Sequence, residues 1–303
     1  MTPDSSQLNA STRVTALAAP PLVATHALAN DETEEVLQFF SQRPRHTFVM
    51  SGFVRDNGLN ADFNRGTFYG CRDESGKLLG VALIGHAIFV EARLDPAIKD
   101  FASLAQRFTR AHMIMGEQKV IDRFWRLYRD GGQPARHTCR EVLLELTTPV
   151  NRFESIADLR IARRDDLNLI VPVHAALAFE ESGVNPLDLD ADGFRARCAH
   201  RVEQGRVYVL IENGKLIFKA DVISDTPDVV YVEGLYVRPE HRGREIGTRC
   251  LAQMSRELLP RTKSIVGLVN EAKPDALRFF AKIGFRQREV YDTIFLEKKV
   301  NKA

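Results

Sequence analysis

Cysteine is scarce in this chain of 303 residues, and the few cysteines lie far apart. Cys71, Cys139, Cys198 and Cys250 form no Cys-x-x-Cys pair, which argues against both a zinc site and a disulfide framework. We therefore expect no metal, and we expect four buried thiols in a reducing compartment.

The chain also lacks an excess of charge and a long apolar run. Lys and Arg number 42 against 40 Asp and Glu, and a formal net charge of +2 is too weak to argue for a nucleic acid partner. The stretch nearest to a membrane span, "LLGVALIGHAIFVEA", is broken by His86 and bounded by charge. The run "VTALAAPPLVATHALA" after Arg13 imitates a secretory signal, but Pro20, Pro21 and His26 interrupt it. We expect a cytoplasmic protein that binds neither nucleic acid nor membrane.

A repeated pattern is present. The length predicts two domains of about 150 residues. "GTFYGCRDESGKLL" from Gly66 matches "GRVYVLIENGKLI" from Gly205, each a strand, a Gly turn and a second strand. Further on, Glu91 parallels Glu233, and "GEQK" parallels "NEAK" before a helix with an aromatic pair. Matches in the same order indicate two copies of one α/β unit.

The two copies predict the domain limits and the fold class. Residues 12–147 form the first domain, 148–157 a polar linker with one Pro, and 158–303 the second domain, while residues 1–11 are a loose tail. Each domain is predicted to be α/β (α+β), a mixed, mostly antiparallel sheet flanked by helices.

One loop in the second copy has the features of an anion site. In "HRGREIGTRCL", Gly243 and Gly247 allow the backbone to approach a ligand, and His241, Arg242 and Arg244 add positive charge. The N-terminus of the following helix also suits phosphate. The loop is not a Walker loop, and composition alone leaves phosphate binding and a plain basic turn both open.

Glu245 stands in this loop where an anion is expected. If the loop forms the first turn of the helix, Glu245 takes helical dihedrals and does not need the positive φ of Gly. A negative charge there stabilises the helix through its dipole. We expect its side chain to point to solvent, toward Arg249, and its backbone N–H to remain available to phosphate.

Two motifs of the second copy carry a family resemblance. "YVEGLYVRPEHRGREIGTRCL" resembles the central motif of the GNAT superfamily of N-acetyltransferases, in which a strand ending in Leu-x-Val runs into R-x-x-G-x-G/A and a helix. "LVNEAKPDALRFFAKIGF" resembles the next motif, and together they cover essentially all of residues 158–298. The corresponding "ARLDPAIKDFASL" of the first copy has no glycine. The chain is thus similar to a tandem GNAT protein with a degenerate first half.

The resemblance implies acetyl-CoA as donor and direct transfer to a primary amine on a small molecule or a protein. It implies strand contacts to the pantetheine, loop contacts to the pyrophosphate, and a second wall beside the cofactor. These contacts would come from Leu235, Tyr236, Val237, Arg242, Gly243, Arg244, Glu245, Ile246, Gly247, Thr248, Asn270, Leu277 and Phe280.

Glu233 is the candidate general base. An alkylamine with a pKa near 10.4 is protonated at neutral pH, so a carboxylate that accepts its proton would help the reaction. Glu233 precedes Gly234, which in a strand often marks a bulge. The alternative is a strand acid paired with a neighbouring base, and Glu91 at the matching place of the first copy is compatible with either role.

The remaining site residues are predicted less directly. Many family members have Tyr where Phe280 stands, to protonate the departing thiolate, so Tyr236, Tyr291 or solvent is expected to replace it. Glu180 and Glu181 end the first helix of the second copy, where they either attract a cationic acceptor or simply face solvent.

Two function classes stay open at this point. The first is an N-acetyltransferase whose second copy is catalytic. The second is a catalytically silent acyl-CoA-binding module that senses the cofactor or regulates a partner. A relative that transfers an aminoacyl or peptidyl group on the same tandem fold is not supported, because the weak net charge does not favour tRNA.

Overall fold

Apolar runs bounded by Gly turns form the strands of one continuous sheet in the computed structural model, which describes residues 23–297. The strands are Val23–Ala27 (β1), Gly66–Asp73 (β2), Leu78–Gly85 (β3), Ala87–Ala92 (β4), Met113–Glu117 (β5), Ala135–Leu146 (β6), Arg160–Ile161 (β7), Val207–Glu212 (β8), Lys215–Asp225 (β9), Val229–Val237 (β10), Ser264–Asn270 (β11) and Arg286–Leu296 (β12).

Helices cover both faces of this sheet, so strands such as β3 are buried along their whole length. The α-helices are Thr33–Ser41 (α1), Pro44–Asn57 (α2), Asp95–Gln106 (α3), Gln118–Tyr128 (α4), Leu167–Ser182 (α5), Pro186–Glu203 (α6), Ile246–Leu258 (α7) and Pro274–Lys282 (α8).

Local sequence sets several helix ends. Pro occupies the first turn of α2, α6 and α8, where backbone N–H groups have no acceptor within the helix, so that no hydrogen bond is lost. The Asn185 side chain accepts a hydrogen bond from the backbone N–H of Leu187 (3.1 Å) and caps α6. Gly183 ends α5 in the left-handed region.

The sheet order is β1-β2-β3-β4-β5-β12-β6-β11-β10-β9-β8-β7. The chain repeats its element order, with β2 to β6 in the first half and β8 to β12 in the second. The last strands of the halves are exchanged, because β12 pairs with β5 of the first half and β6 pairs with β11 of the second. The predicted mixed, mostly antiparallel sheet is confirmed, and the two copies share a single sheet.

Contacts between the halves extend beyond the exchanged strands. The Phe48 ring of α2 lies 4.8 Å from the Tyr231 ring of β10, and the Ser224 hydroxyl donates to the Phe48 carbonyl (2.6 Å). Arg206 forms a bidentate ion pair with Asp56. The first half therefore packs directly on the strands of the second half.

Several sequence predictions can be compared with these elements. All four cysteines are buried and free, as predicted. The strand predicted at "LRIARR" is limited to the two residues of β7. The end of the signal-like run forms β1, whereas residues 1–11 lie outside the described residues. Within residues 23–297, no helix has the length and apolar character needed to cross a membrane. The segment between β6 and β7 has no helix or strand, and the domain limits stay a prediction.

Candidate active site

A cleft opens where two parallel strands of the second half separate. β10 and β11 pair only from Val229 to Tyr231 and then diverge. The resulting gap, which we call the cleft, contains an inner cavity of about 280 Å³ and an outer cavity of about 920 Å³. Leu235 and Phe280 line both cavities, so the two are continuous.

The outer cavity is lined by most of the residues that the resemblance implies for the cofactor. Besides Leu235 and Phe280, these are Val237, Arg242, Gly243, Glu245, Ile246, Gly247 and Thr248. Arg244, Tyr236 and Leu277 are not in its lining. Asn270 lines the inner cavity instead.

Close packing holds the loop against the end of β10. A Cβ atom on Gly247 would lie 2.8 Å from a methyl group of Val237, so only glycine allows α7 to approach the strand. Arg242 donates from Nε to the Val237 carbonyl (3.0 Å). Gly243 has a positive φ of 74° and open space beside it. The loop therefore presents backbone N–H groups and the N-terminus of α7 to the outer cavity.

The prediction of helical dihedrals for Glu245 is wrong. α7 begins only at Ile246, and Glu245, the residue before it, has φ 60° and ψ 2°, in the left-handed region. A side chain at that conformation costs about 1 kcal/mol. The side chain contacts Lys282 rather than Arg249, and Lys282 lowers the pKa of the Glu245 carboxyl.

Glu233 lies at a bulge on the inner cavity, as predicted. The register of β10 with β9 shifts between Glu233 and Tyr236, and Gly234 has a positive φ of 62°. Tyr231 donates its hydroxyl to Oε2 of Glu233 (2.7 Å). Sequence reasoning missed Tyr231, which reaches Glu233 because alternate residues of a strand share a face.

Buried charges support this bulge from below. The fully buried Lys219 donates to Oδ2 of Asp221 (2.5 Å) and lies 3.4 Å from the Gly234 carbonyl. His174, which lines the inner cavity, has Nδ1 3.0 Å from the same Asp221 oxygen. Burial and then the Lys219 charge lower the pKa of His174, while Lys219 keeps the pKa of Asp221 low despite burial.

Four glutamates line the inner cavity, and three of them have no ion-pair partner among residues 23–297. Glu141 of β6 and Glu181 of α5 lie there with Glu233. Burial and the Glu233 charge raise the pKa of Glu141 to about 7, although Thr293 donates a hydrogen bond to it (2.6 Å). Partial desolvation and the Glu233 charge raise the pKa of Glu181 to about 8. Sequence reasoning missed Glu141 because only the strand exchange brings it to this cavity.

Other side chains join the walls of the cleft. Glu180 forms an ion pair with Lys273 (2.7 Å), and both residues line both cavities. Asn270 donates to the Cys139 sulfur (2.8 Å) and accepts from the Ala272 backbone N–H (2.8 Å). Among residues 23–297, no three His, Cys, Asp or Glu side chains are arranged to hold a metal ion.

The two tyrosines predicted to protonate the thiolate lie outside the cleft. Tyr291 is 1% exposed and donates its hydroxyl to the Arg45 carbonyl (2.6 Å), so its strand turns this ring toward the first half. Tyr236 packs against the cluster of α5 and α6. Phe280 packs edge-on against Phe285, with ring centres 5.0 Å apart.

The equivalent gap of the first half is closed. β4 and β5 also pair in parallel and then separate. Arg43 bridges this gap, with hydrogen bonds to Glu91 (2.9 Å) and to Glu117. Side chains including Phe48 and Tyr291 leave a cavity of only about 10 Å³. The first half therefore has no open cleft at this place.

Comparison with known proteins agrees with this geometry. A family model described as an acetyltransferase (GNAT) domain matches residues 203–287, which include β10, the loop and α8. No curated protein sequence matches the chain at a significant level.

Several solved structures have a similar fold over most of the chain. A Drosophila protein has a TM-score of 0.67 with 14% identity, over 91% of this chain and 99% of that one. A tandem GNAT protein from the clavulanic acid biosynthesis pathway has a TM-score of 0.56 with 14% identity, over 90% and 98%. A GNAT-family acetyltransferase from Colwellia psychrerythraea has a TM-score of 0.55 with 12% identity, over 91% and 100%. At these identities the likeness establishes the fold.

The family match lies in the half that has the open cleft, and the structural likeness extends over both halves. Residues 203–287 therefore match a GNAT acetyltransferase domain, and the chain over most of its length has the fold of solved GNAT proteins, a tandem one among them.

Proposed function

We propose that the protein transfers an acetyl group from acetyl-CoA to a primary amine, and that the cleft of the second half is its active site. The observation that carries this proposal is that one continuous cleft joins a basic, glycine-containing loop at its outer end to the Glu233 carboxylate at its inner end. The first lies where phosphates would bind, and the second where an amine would lose its proton.

The residues of the outer cavity fit coenzyme A. The N-terminus of α7 offers unpaired backbone N–H groups to the pyrophosphate, and Gly243 leaves space for it. Beyond Tyr231 no strand among residues 23–297 pairs with the edge of β10 that faces the gap, so Leu235 has backbone groups available to the pantetheine amides. Phe280 forms the apolar wall opposite.

Glu233 is suited to accept a proton from the amine. Tyr231 bonds to Oε2, and within residues 23–297 no side chain bonds to Oε1, which leaves this oxygen for the substrate. Acetyl-CoA supplies a thioester, and the neutral amine attacks its carbonyl carbon, so that an N–C bond forms as the C–S bond breaks. One amine proton goes to Glu233 before the attack. Afterwards the nitrogen loses a second proton to water, the departing thiolate takes a proton from the same water, and Glu233 returns its proton to solvent, so that one proton is released overall.

Acetyl-CoA incubated with a panel of primary amines tests the proposal. Free thiol and acetylated amine should appear in equal amounts, as measured by a thiol reagent and by mass spectrometry. Glu233→Gln should lower turnover by roughly 10²-fold with little change in CoA affinity. Glu212→Gln is the matched control, because Glu212 is exposed on β8 and lies outside the cleft.

The opposite result is equally clear. A protein that binds CoA and acetylates no amine in the panel would contradict acetyl transfer and favour a silent acyl-CoA-binding module. An unchanged rate in Glu233→Gln would mean that a group other than Glu233 is the general base.

A further inference from the structure

We propose that the acceptor carries at least two amino groups, and that Glu141 from the first half binds the amino group that does not react. This rests on the acetyl transfer proposed above and narrows its acceptor to a diamine or polyamine. Glu141 is then a specificity-determining residue that the strand exchange contributes.

Both halves build the cavity in which this acceptor would bind. β10 and α5 of the second half supply Glu233 and Glu181, and β6 supplies Glu141. β6 and β10 flank β11 in the sheet, and β10 has already diverged from β11 at Glu233, so at least two strand spacings, about 10 Å, separate their backbones there. A single ammonium group at Glu233 leaves Glu141 without a cation, whereas a longer molecule with a second cation reaches both.

Within the described residues, the protein supplies no cationic partner to three carboxyl groups of this cavity. Within residues 23–297, none of Glu141, Glu181 and Glu233 takes part in an ion pair. Lys273, the lysine in the cavity wall, is paired with Glu180 (2.7 Å). Neighbouring carboxylates that repel one another are stabilised by a cation placed between them. A dication satisfies three such groups better than a monocation does.

The first half holds a cation at the equivalent place. Glu91 and Glu233 each stand four residues after the first parallel pair of their strands, so they are equivalent positions of the two copies. Glu91 is 2% exposed and binds the Arg43 guanidinium, which also binds Glu117. In this fold, therefore, a carboxylate at this position together with a second one binds a group with spread positive charge.

Among residues 158–297, no cationic side chain holds Glu233 as Arg43 holds the equivalent carboxylate of the first half. Arg43 directly precedes Pro44 at the start of α2, and the same place before Pro186 of α6 is held by Asn185. The Asn185 side chain caps its own helix and carries no charge. The cation that Arg43 supplies in the first half must come to the second half from a ligand.

Cadaverine and pentylamine test this proposal. Both have a chain of five carbons, but cadaverine has two positive charges and pentylamine has one. Calorimetric titration of the full-length protein with CoA present should show that cadaverine binds at least tenfold more tightly than pentylamine. In Glu141→Gln this ratio should fall to near one. With acetyl-CoA present, kcat/KM for cadaverine divided by kcat/KM for pentylamine should also be at least ten in the wild type and near one in Glu141→Gln. The change should come mainly from a higher KM for cadaverine.

Glu145→Gln is the matched control. Glu145 lies on the same strand and is as buried as Glu141, at 7% exposure, but it is four residues further along β6, outside the lining of the cleft. It pairs with Arg288 (2.7 Å) and Arg45 (3.3 Å). It should keep the wild-type ratio. Equal binding of the two amines to the wild type, or the same loss in both variants, would overturn the proposal. Binding without turnover would leave it standing and contradict acetyl transfer alone.

Discussion

Glu245 has an unfavourable backbone conformation, and its ion pair with Lys282 neutralises a positive charge in the cleft. Its left-handed φ favours Gly, and its carboxylate holds Lys282, a lysine of the outer cavity. Glu245→Gly removes both effects, and Glu245→Gln removes only the charge. We expect both variants to bind CoA more tightly, by no more than about tenfold, or about 1.4 kcal/mol.

Thermal unfolding separates the two effects. Only Glu245→Gly should also unfold at a higher temperature, since only it relieves the backbone cost of about 1 kcal/mol. CoA titrations at low salt measure the affinity, because salt screens exposed charges. Weaker binding in Glu245→Gly would mean that Glu245 supports the loop.

Glu141 should lower stability at neutral and alkaline pH. Burial, Glu233 and Asp292 raise its pKa to about 7 from an ordinary value of 4.5, so between these pH values the folded state keeps a proton that the unfolded state releases. The free energy of unfolding therefore falls as pH rises through this window. Glu141→Gln should be more stable than the wild type at pH 8, by on the order of 1–3 kcal/mol, and similar to it below about pH 4.5.

Unfolding temperatures at the two ends of this pH range check the prediction. A stability difference that is the same at both ends would mean that the Glu141 carboxyl titrates normally. Since a functional cavity often costs stability, a gain from losing this charge also agrees with a ligand-binding role.

At the scale of single residues, the sequence predicted the site residues whose position depends only on their neighbours in the chain. Glu233 and Gly234 could be recognised because a Gly inside a strand indicates a bulge. The positive φ of Glu245 could not be predicted, because it depends on the residue at which α7 starts. Sequence patterns place a helix end only to within one or two residues. The role of Glu141 could not be predicted either, because its position in the cavity depends on strand pairing between the two halves.

The bulge in β10 is the element that turns Glu233 toward the cleft. A Cβ on Gly234 would lie 2.7 Å from Oδ2 of Asp221 and 3.0 Å from Nζ of Lys219, in addition to its positive φ. Gly214 has a similar φ of 71° and nothing within 4 Å. Gly214→Ala should cost about 1 kcal/mol for the backbone alone, with no effect on turnover.

Gly234→Ala should be clearly more destabilising than Gly214→Ala and should also lower the rate of acetylation. It must displace a buried ion pair as well as strain the backbone. Thermal unfolding and turnover of the two variants give the comparison. Equal losses of stability with an unaffected rate would mean that the bulge does not depend on the Lys219 and Asp221 pair.

At the scale of elements, the sequence predicted the repeat and the order of strands and helices, but not the exchange of β6 and β12. Both strands follow a helix and have similar apolar patterns. Local patterning therefore fits either partner, β5 or β11, equally well. The choice between them depends on contacts across the whole sheet, among them the packing of Tyr291 against α2.

At the scale of the whole molecule, the two halves depend on each other. Without β12 the first half has an open strand edge at β5, and without β6 the second half has one at β11. Segments divided at the predicted linker, one ending at residue 147 and one starting at 158, should fail to fold alone and should form a stable complex when produced together. Circular dichroism and size-exclusion chromatography check this, and cooperative unfolding of the first segment alone would contradict it.

One donor site per chain is the central claim, because Arg43 closes the gap of the first half while the cleft of the second half is open. Calorimetric titration of the full-length protein with acetyl-CoA measures the number of sites most directly. The account predicts one molecule bound per chain. Two molecules per chain would contradict the closure of the first half, and no binding would contradict the assignment of the cleft itself.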